Sequence, residues 1–542
     1  MDSAIAEKAS ATQRMPHADG RVALRVLQAG GIAVIMAAAP YKTFDLDRFF
    51  VPKELVLGIT ALVVTLLCAA RVKRVALSRA DQLLALWLLL AGVSALFATN
   101  QWLAGRATAL SLAGVACFWC SRALARAGHA RALVAALALA GVVGAATALL
   151  QAYGLKTEFV SLNRAPGGTF GNRNFMAHLC VIALPALLFS ALRAPSRASF
   201  TRWCGGIAVV TGALILSRSR AAWLALVVGM IVLLVTGILA LRRGDGFFSL
   251  RRLLVLLAAA GAGGGVALGM PNTLDWNSNS PYTDTAHSIV NYQGGSGRGR
   301  LIQYRNSLRM TLHHPLLGVG PGNWPVIYPR FASENDPSLG RDGMTSNPWP
   351  SSDWVTFLSE RGPVAFVLLG LAMLALLTDG VRGLRNGTDT EARRSAAVFL
   401  ATLVIILIVG AFDAVLLLPV PALIAWSLLG ALAAPSRERA AAGVSVACRV
   451  AAFAVIAGVG GLAVARSGAQ LVAMSIYATS ARASVLERAS AIDPGSYRIH
   501  ARLAQLYLSR GDCKRSRGHA EVARQQFPAS PAARRLLAAC GG

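Results

Sequence analysis

The sequence predicts an all-α polytopic membrane protein with about twelve transmembrane helices, one large loop outside the membrane, an extra C-terminal helix and a helical-repeat tail. Apolar runs recur at the length of about 20 residues that a helix needs to cross a bilayer. Only 14% of the 542 residues are charged, against about 25% in soluble domains. Basic clusters occupy alternate connections between the apolar runs, which is the charge bias of cytoplasmic loops.

The apolar runs predict about thirteen helices, with boundary errors of a few residues. The clear runs are Val26–Pro40, Leu55–Ala70, Leu83–Thr99, Ala132–Tyr153, Phe175–Leu192, Ala221–Leu241, Leu253–Met270, Pro363–Leu377, Ala396–Phe412 and Ala447–Ala465. The weaker runs are Ala107–Cys120, Cys204–Leu216 and Ala414–Ala433. The run that begins at Ala447 is the extra helix, and the others form the body of the protein.

The formal net charge of +28 is distributed over the loops, which argues against a nucleic-acid partner and for contact with membrane lipids. The basic loops and the N-terminus are predicted to face the cytoplasm. The loops at 40–53, 153–174 and 271–362 are then predicted to lie on the opposite side, together with the C-terminal tail.

Three segments are expected along the chain. Residues 1–435 form the membrane domain, residues 436–466 a basic linker and the extra helix, and residues 467–542 the tail. The tail has a period of 34 residues, since Ala489 and Pro494 recur as Ala523 and Pro528. This spacing resembles the tetratricopeptide repeat, and it predicts a tail that packs on the membrane domain or binds a protein partner.

Two of the eight cysteines, Cys513 and Cys540, fall in the tail. They are expected to form a disulfide if the tail lies in an oxidising compartment.

Arginines at the outer ends of the helices are the first candidate site residues. Arg218 and Arg220 lie between two apolar runs with almost no loop, where charge is costly unless it is paired, solvated or functional. The planar fork of arginine suits phosphate, whereas snorkelling to the interface is the alternative. Arg305 is a candidate substrate-binding residue that shares a helix face with Arg309, for which a solvated face is the preferred explanation. Arg300, at the start of the same helix, is the sharper candidate.

The glycine-rich stretch "NRAPGGTFGNRNF" (163–175) leads into a helix. Its glycines permit close backbone approach, and a helix N-terminus favours anions. Arg164, Arg173 and Asn174 are therefore candidate substrate-binding residues, with Asn174 a possible N-cap. A tight turn explains the glycines equally well.

The stretch "PWPSSDWVTFLSERGPVAF" (348–366) brings unusual polarity to the start of an apolar helix. Asp353 has two interpretations there. It caps the helix, or it is a general base, because carboxylates near apolar surface have raised proton affinity.

Four motifs occur in the order "GGTFGNRNF…AH", "SRSRAAWLAL", "GRLIQYRNSLRM…HHPLLGVGPGNW" and "SSDWVTFLSERG". Together, over roughly residues 80–433, they resemble the superfamily of O-antigen ligases and O-antigen polymerases, which are bacterial envelope enzymes. The resemblance implies a GT-C-like glycosyltransferase of the inner membrane, with the large loop and the tail in the periplasm. It also implies a polyprenyl-diphosphate-linked glycan as donor, a glycan or lipid A-core as acceptor, and no metal or other cofactor.

The resemblance assigns roles to particular residues. The arginine of the family's "SRGAW"-like motif falls on Arg220, and the arginine four residues before an aromatic falls on Arg300. In the family both act on the donor diphosphate. This agrees with the charge argument, since two arginines can neutralise a departing pyrophosphate.

The chain departs from the ligase pattern at one position. Ser351 stands where ligases have a histidine, and Ala365 replaces a later glycine. Three hypotheses remain open: Asp353 is the base, the enzyme is a polymerase-like relative that relies on its arginines, or the chain is a scaffold that acts through its tail. The replaced histidine and the added tail favour polymerisation slightly over ligation.

A small-solute transporter is the alternative from another class. Transporters show polar residues at broken helices near the membrane midplane, and Asp413 with Pro419 and Pro421 is one such hint. The predicted topology instead puts Asp413 near the outer surface.

Overall fold

The computed structural model describes residues 17–541 apart from 45, 161–163, 244–248, 277, 279, 288–294, 341 and 434–441. Residues 1–16, which include the N-terminus predicted to be cytoplasmic, therefore lie outside the described residues. The helices before the large loop are α1 (His17–Met36), α2 (Asp47–Ala69), α3 (Arg79–Leu96), α4 (Gln101–Leu124), α5 (Ala130–Ala152), α6 (Arg173–Leu192), α7 (Arg197–Ser217), α8 (Arg220–Arg242) and α9 (Leu250–Gly269).

The large loop and the remainder of the chain are helical as well. The loop contains α10 (Pro281–His287), α11 (Gly295–His313) and α12 (Trp324–Ile327), and the membrane part continues with α13 (Asp353–Asn386), α14 (Thr390–Phe412), α15 (Pro419–Leu432) and α16 (Val446–Thr479). The tail consists of α17 (Ala483–Ile492), α18 (Tyr497–Leu508), α19 (Cys513–Gln526) and α20 (Pro531–Ala538). Two short strands, β1 (Arg74–Val75) and β2 (Ala442–Gly443), pair antiparallel.

The predicted fold class, an all-α polytopic membrane protein, is confirmed. Each predicted apolar run overlaps a helix, and ten helical segments of the described chain are long and apolar enough to cross a membrane. One of these segments, Gln101–Ala152, comprises α4 and α5, which meet at Gly128 with a φ of 86°. The short helix α15 lies at the centre of the bundle, since all fourteen of its residues are buried.

The loop is fastened to α13 by a glycine-rich turn at 318–322. Gly318, Gly320 and Gly322 all have positive φ. Because of this backbone shape, the N–H groups of Val319 and Gly320 reach the carbonyls of Ser359 and Glu360, at 3.0 and 2.8 Å. The buried Glu360 carboxylate accepts from the N–H groups of Gly322 and Trp324, at 2.8 and 3.1 Å.

Gly318→Ala tests how much this fastening matters. A Cβ at Gly318 would lie 2.5 Å from the carbonyl carbon of Glu360, and its positive φ costs a non-glycine residue about 1–2 kcal/mol. We expect the free energy of unfolding to fall by more than about 1 kcal/mol. The check is the fraction of protein that stays monodisperse after heating in detergent, which should be smaller for Gly318→Ala than for the parent. Gly370→Ala is the control, since a Cβ there meets no atom within 4 Å. Equal heat resistance of the two variants would contradict the fastening role.

The loop has a core of its own beside this turn. Met310, Trp324, Val326 and Tyr328 are fully buried. Burial raises the pKa of Tyr328 to about 12, so its hydroxyl stays protonated and donates to Asp336 at 2.9 Å. The loop is therefore a packed unit on one side of the membrane part, which we call the loop side.

The apolar face of the loop helix α11 is not buried. Leu301, Leu308 and Leu312 of α11 are 52%, 53% and 70% exposed. The buried face of α11 is instead mostly polar and includes Gln303 and Ser307. The polar face is buried because it hydrogen-bonds with other parts of the loop side, such as Trp324 Nε1, which donates to Ser307 at 2.8 Å.

The tail docks onto the loop side. Phe527 packs against the loop core, Asn100 Nδ2 donates to the carbonyl of Gln526 at 3.3 Å, and Arg498 donates to the carbonyl of Thr43 at 2.7 Å. Cys513 and Cys540 form the expected disulfide, with Cα atoms 5.4 Å apart. Helix α16 continues to Thr479, beyond residue 466, where the sequence placed the start of the tail.

Candidate functional site

Helices α6, α11, α13 and α14 meet on the loop side, and the predicted residues Arg300, Ser351 and Asp353 lie where they meet. The hydroxyl of Tyr304 on α11 donates to the carbonyl of Ser351, just before α13, at 2.6 Å, and to that of Ala411 in α14 at 3.1 Å. Gln303 Oε1 accepts from the backbone N–H and the hydroxyl of Ser351, both at 3.2 Å. These contacts fix the N-terminal half of α11 over the ends of two membrane helices.

Arg300 is half-buried and lies one turn before Tyr304. Its guanidinium is close enough to His178 on α6 to act on it electrostatically. Arg305, by contrast, is exposed. The structure therefore brings Arg300 into the site and leaves Arg305, a predicted substrate-binding residue, on its outer surface.

His178 is a functional candidate that the sequence interpretation did not single out, although it ends the motif "GGTFGNRNF…AH". It is fully buried, and its Nε2 lies 4.0 Å from a carboxylate oxygen of Asp413. Within the described residues neither ring nitrogen makes a hydrogen bond. Ionisable side chains inside membrane helices are rare and mark functional sites, and that rule alone identifies His178 from sequence.

Asp353 is held differently. It is fully buried, and its carboxylate accepts from the backbone N–H of Val415 at 3.0 Å and of Leu416 at 2.9 Å. The N-cap of α13 is Ser352, whose hydroxyl also donates to the carbonyl of Gly410 at 3.1 Å. Asp353 thus fastens the turn between α14 and α15, and the capping role falls to its neighbour.

Asp413 has more freedom than Asp353. It ends α14 in an extended conformation, and its Oδ1 accepts from the backbone N–H of Ala414 at 2.9 Å. Its Oδ2 is the oxygen that faces His178. With 7% of its surface exposed, against 0% for Asp353, Asp413 is the carboxylate at the edge of the site.

A second group of arginines lies at the start of α6 and between α7 and α8. The guanidinium groups of Arg173 and Arg218 both lie over the ring of Trp276, at 4.8 and 4.7 Å from its centroid. Arg218 has a φ of 55°, and its Nε donates to Thr285 Oγ1 at 2.8 Å. Arg164 is within electrostatic range of Arg173. The structure therefore gathers three of the predicted substrate-binding arginines.

The remaining predicted residues lie beside this second group. Arg220 is the first residue of α8, follows its N-cap Ser219 and is half-buried. Asn174 lies inside α6, and the N-cap is Asn172, whose Oδ1 accepts from the N–H of Asn174 at 3.0 Å. The expectation that Asn174 caps the helix is therefore wrong, because the helix begins at Arg173.

The two groups are connected through α6. Arg173 lies in its first turn and His178 five residues later on the same helix. The positive group near Trp276 and the group around Arg300, His178 and Asp413 thus lie along one helix end. A helix N-terminus adds partial positive charge to such a place, so the loop side is suited to bind an anion next to a proton acceptor.

Comparison with known families agrees with these observations. Residues 205–370 match a family described as O-antigen ligase, and residues 480–540 match a family described as tetratricopeptide repeat. The first match includes Arg218, Arg220, Arg300 and Asp353, and it ends before Asp413. A search of curated proteins finds no match for the chain. The resemblance predicted from the motifs is confirmed: part of the membrane domain is similar to the O-antigen ligase family, and the tail is similar to the tetratricopeptide repeat.

Proposed function

We propose that the protein is an inner-membrane glycosyltransferase that transfers or polymerises glycan from a polyprenyl-diphosphate donor on its loop side. The observation that carries this proposal is the convergence of Arg164, Arg173 and Arg218 with the Arg300 group at one end of an O-antigen ligase domain. A diphosphate needs several guanidinium partners in a partly desolvated place, and this end of α6 offers them.

The arginines act on the leaving group. When the acceptor oxygen attacks the anomeric carbon, the bond from that carbon to the diphosphate oxygen breaks and negative charge develops on the diphosphate. Arg220 and Arg300 are assigned to this charge, with Arg173 and Arg218 holding the diphosphate through the transfer. Fixed cations that face developing charge in a water-poor site are among the largest contributions to catalysis.

A proton must also leave the acceptor hydroxyl. Asp353 is the candidate named by the sequence, but the two oxygens of its carboxylate accept the backbone N–H groups of Val415 and Leu416, so both are engaged in holding that turn. Asp413 has an oxygen free of such bonds and lies beside His178. We therefore assign proton acceptance to Asp413. His178 stabilises the neighbouring Asp413, and Asp353 positions the turn that carries Asp413.

The loop side is assigned to the periplasm. Two observations support this orientation: the basic loops between helices point to the cytoplasm, and the Cys513–Cys540 disulfide of the docked tail fits an oxidising compartment. The donor is then used on the outer face of the inner membrane.

Reconstitution tests the proposal. Purified protein in liposomes is given a polyprenyl-diphosphate-linked oligosaccharide, either alone or with lipid A-core. We expect release of polyprenyl diphosphate in both cases or in one of them. Longer glycan from donor alone identifies a polymerase, and modified lipid A-core identifies a ligase. No release under either condition would overturn the assignment as a glycosyltransferase.

A scaffold function through the tail is the second candidate, and one observation favours it. A cleft of about 710 Å³ opens between α17, α18 and α19, lined by Arg482, Glu487, Tyr507, Arg510 and Arg515. Its excess of arginine suits an acidic segment of a partner protein. A tail deletion that abolishes partner capture while transfer continues would assign assembly to the tail and catalysis to the membrane domain.

A further inference from the structure

The exposed leucines of α11 form one stripe. Leu301, Leu308 and Leu312 recur at intervals of seven and four residues, so they share a helix face. All three are more than half exposed. A face of this kind, left uncovered on a packed loop, requires an apolar partner.

The middle and the C-terminal end of α11 are attached to the ends of membrane helices. Tyr304, the tenth of its 19 residues, bonds to the carbonyl of Ala411 at the end of α14. Just beyond its end, Leu317 accepts from the hydroxyl of Ser94 near the end of α3 at 2.6 Å. The half of α11 from Tyr304 to His313 spans about 15 Å, and with both of its ends held at this level it runs along the membrane surface.

Exposed apolar side chains at the end of a membrane helix lie near the C-terminal end of the stripe. Leu96 and Phe97 at the end of α3 are 70% and 74% exposed, and Leu316, which follows α11, is 76% exposed. Ser94 is bonded to the residue after Leu316, so Leu316 lies close to the end of α3. Because the end of α3 marks where the bilayer begins, the bilayer is also the partner nearest to the stripe.

Arginines flank the same face. Arg305 and Arg309 are exposed, and their positions along α11 place them beside the leucines at helical spacing. Leucines on one face with arginines at its border are the pattern of helices that lie in the interface of a membrane with anionic lipids. Exposure of this face to water would suit the arginines but would leave the leucines unfavourably hydrated.

We propose that α11 is an interfacial helix: its leucine stripe inserts into the lipid leaflet on the loop side, and Arg305 and Arg309 contact anionic headgroups. Helices of this kind sit about 5–10 Å into the boundary between headgroups and acyl chains. Arg300 lies on the flank of α11 between the stripe and the buried face, so the membrane sets its depth. If the proposed function holds, this is the depth at which the diphosphate of a polyprenyl lipid lies.

Spin labelling tests lipid contact without any activity assay, so its outcome is separate from that of the proposed function. Leu308→Cys is labelled with a nitroxide in a background with Cys204→Ala and Cys448→Ala, which removes the two free cysteines that are not buried. The protein is reconstituted in vesicles of phosphatidylethanolamine and phosphatidylglycerol. Glu334→Cys, at an exposed loop position, is the matched control, and the background without an added cysteine measures residual labelling.

We expect the label at position 308 to collide with dissolved oxygen several-fold more often, relative to a water-soluble nickel complex, than the label at position 334. Equal nickel access at the two positions would place the stripe in water and overturn the proposal. Shielding of position 308 from both reagents would identify a protein partner and would also overturn it.

Arg305→Gln with Arg309→Gln tests the headgroup contact in the same assay. We expect the label at position 308 to sit deeper in vesicles with phosphatidylglycerol than in vesicles of phosphatidylcholine alone, and this difference to disappear in the double variant. A lipid dependence that survives in the double variant would overturn the role of the two arginines.

Discussion

Arg300→Ala is expected to abolish glycan transfer while the protein still accumulates in the membrane. The guanidinium is half-buried beside His178, and it is assigned to the charge that develops on the diphosphate. Removing one fixed group that stabilises such charge typically costs about 10²–10³ in kcat. The measurement is release of polyprenyl diphosphate by reconstituted protein.

Two further variants interpret this result. Arg300→Lys keeps the charge but loses the planar fork, so its activity is expected to fall between that of the parent and of Arg300→Ala. Arg330→Ala removes an exposed arginine from the same loop and is expected to transfer normally. Full activity of Arg300→Ala in a folded protein would remove this residue from the site.

Asp413→Asn is expected to have a similarly large effect for a different reason. Asparagine keeps the size of the side chain and cannot accept a proton from the acceptor hydroxyl. General-base catalysis typically contributes about 10²–10⁴ to the rate, so kcat should fall by that order. KM for the donor should stay within about twofold, because proton acceptance occurs in the transition state and not on donor binding.

The neighbouring carboxylate supplies the contrast. In Asp353→Asn the amide would present N–H groups toward the backbone N–H groups of Val415 and Leu416, which now donate to the carboxylate. A buried donor left without an acceptor costs about 1–3 kcal/mol. The main effect of Asp353→Asn should therefore be lower heat resistance. If Asp353→Asn is as stable as the parent and inactive, while Asp413→Asn retains activity, the roles of the two carboxylates are reversed.

The membrane helices could be predicted from the sequence because their signal is local. An apolar run of bilayer length defines a helix wherever it occurs, and the weak run that became α15 was found although it is short. The tail repeats were found for the same reason, since their 34-residue period recurs within one continuous stretch of the sequence. The bounds were less certain because polar residues at the helix ends, such as Arg173 and Asp353, belong to the helices.

The candidate site was only partly predictable because its pairs are distant in the chain. Charge between two apolar runs identified Arg218 and Arg220 as candidates, since isolated charge at a membrane boundary needs a reason, and Arg300 was identified by the family resemblance. The partners of Asp353 lie more than 60 residues away, and no spacing in the sequence reveals them. The same holds for α11, whose buried polar face is set by hydrogen-bond partners elsewhere in the loop, such as Trp324.

The docked tail connects parts of the protein that are made at very different times. Arg498 bonds to Thr43, 455 residues earlier, and Gln526 bonds to Asn100, 426 residues earlier. Ribosomes add about 5–20 residues per second, so the surfaces at Thr43 and Asn100 remain uncovered for roughly 20–90 seconds during synthesis. The membrane helices from α4 to α16 are all made in that interval. The tail therefore arrives only after these membrane helices have been made, and any factor that protects the nascent loop side must leave before the tail can dock.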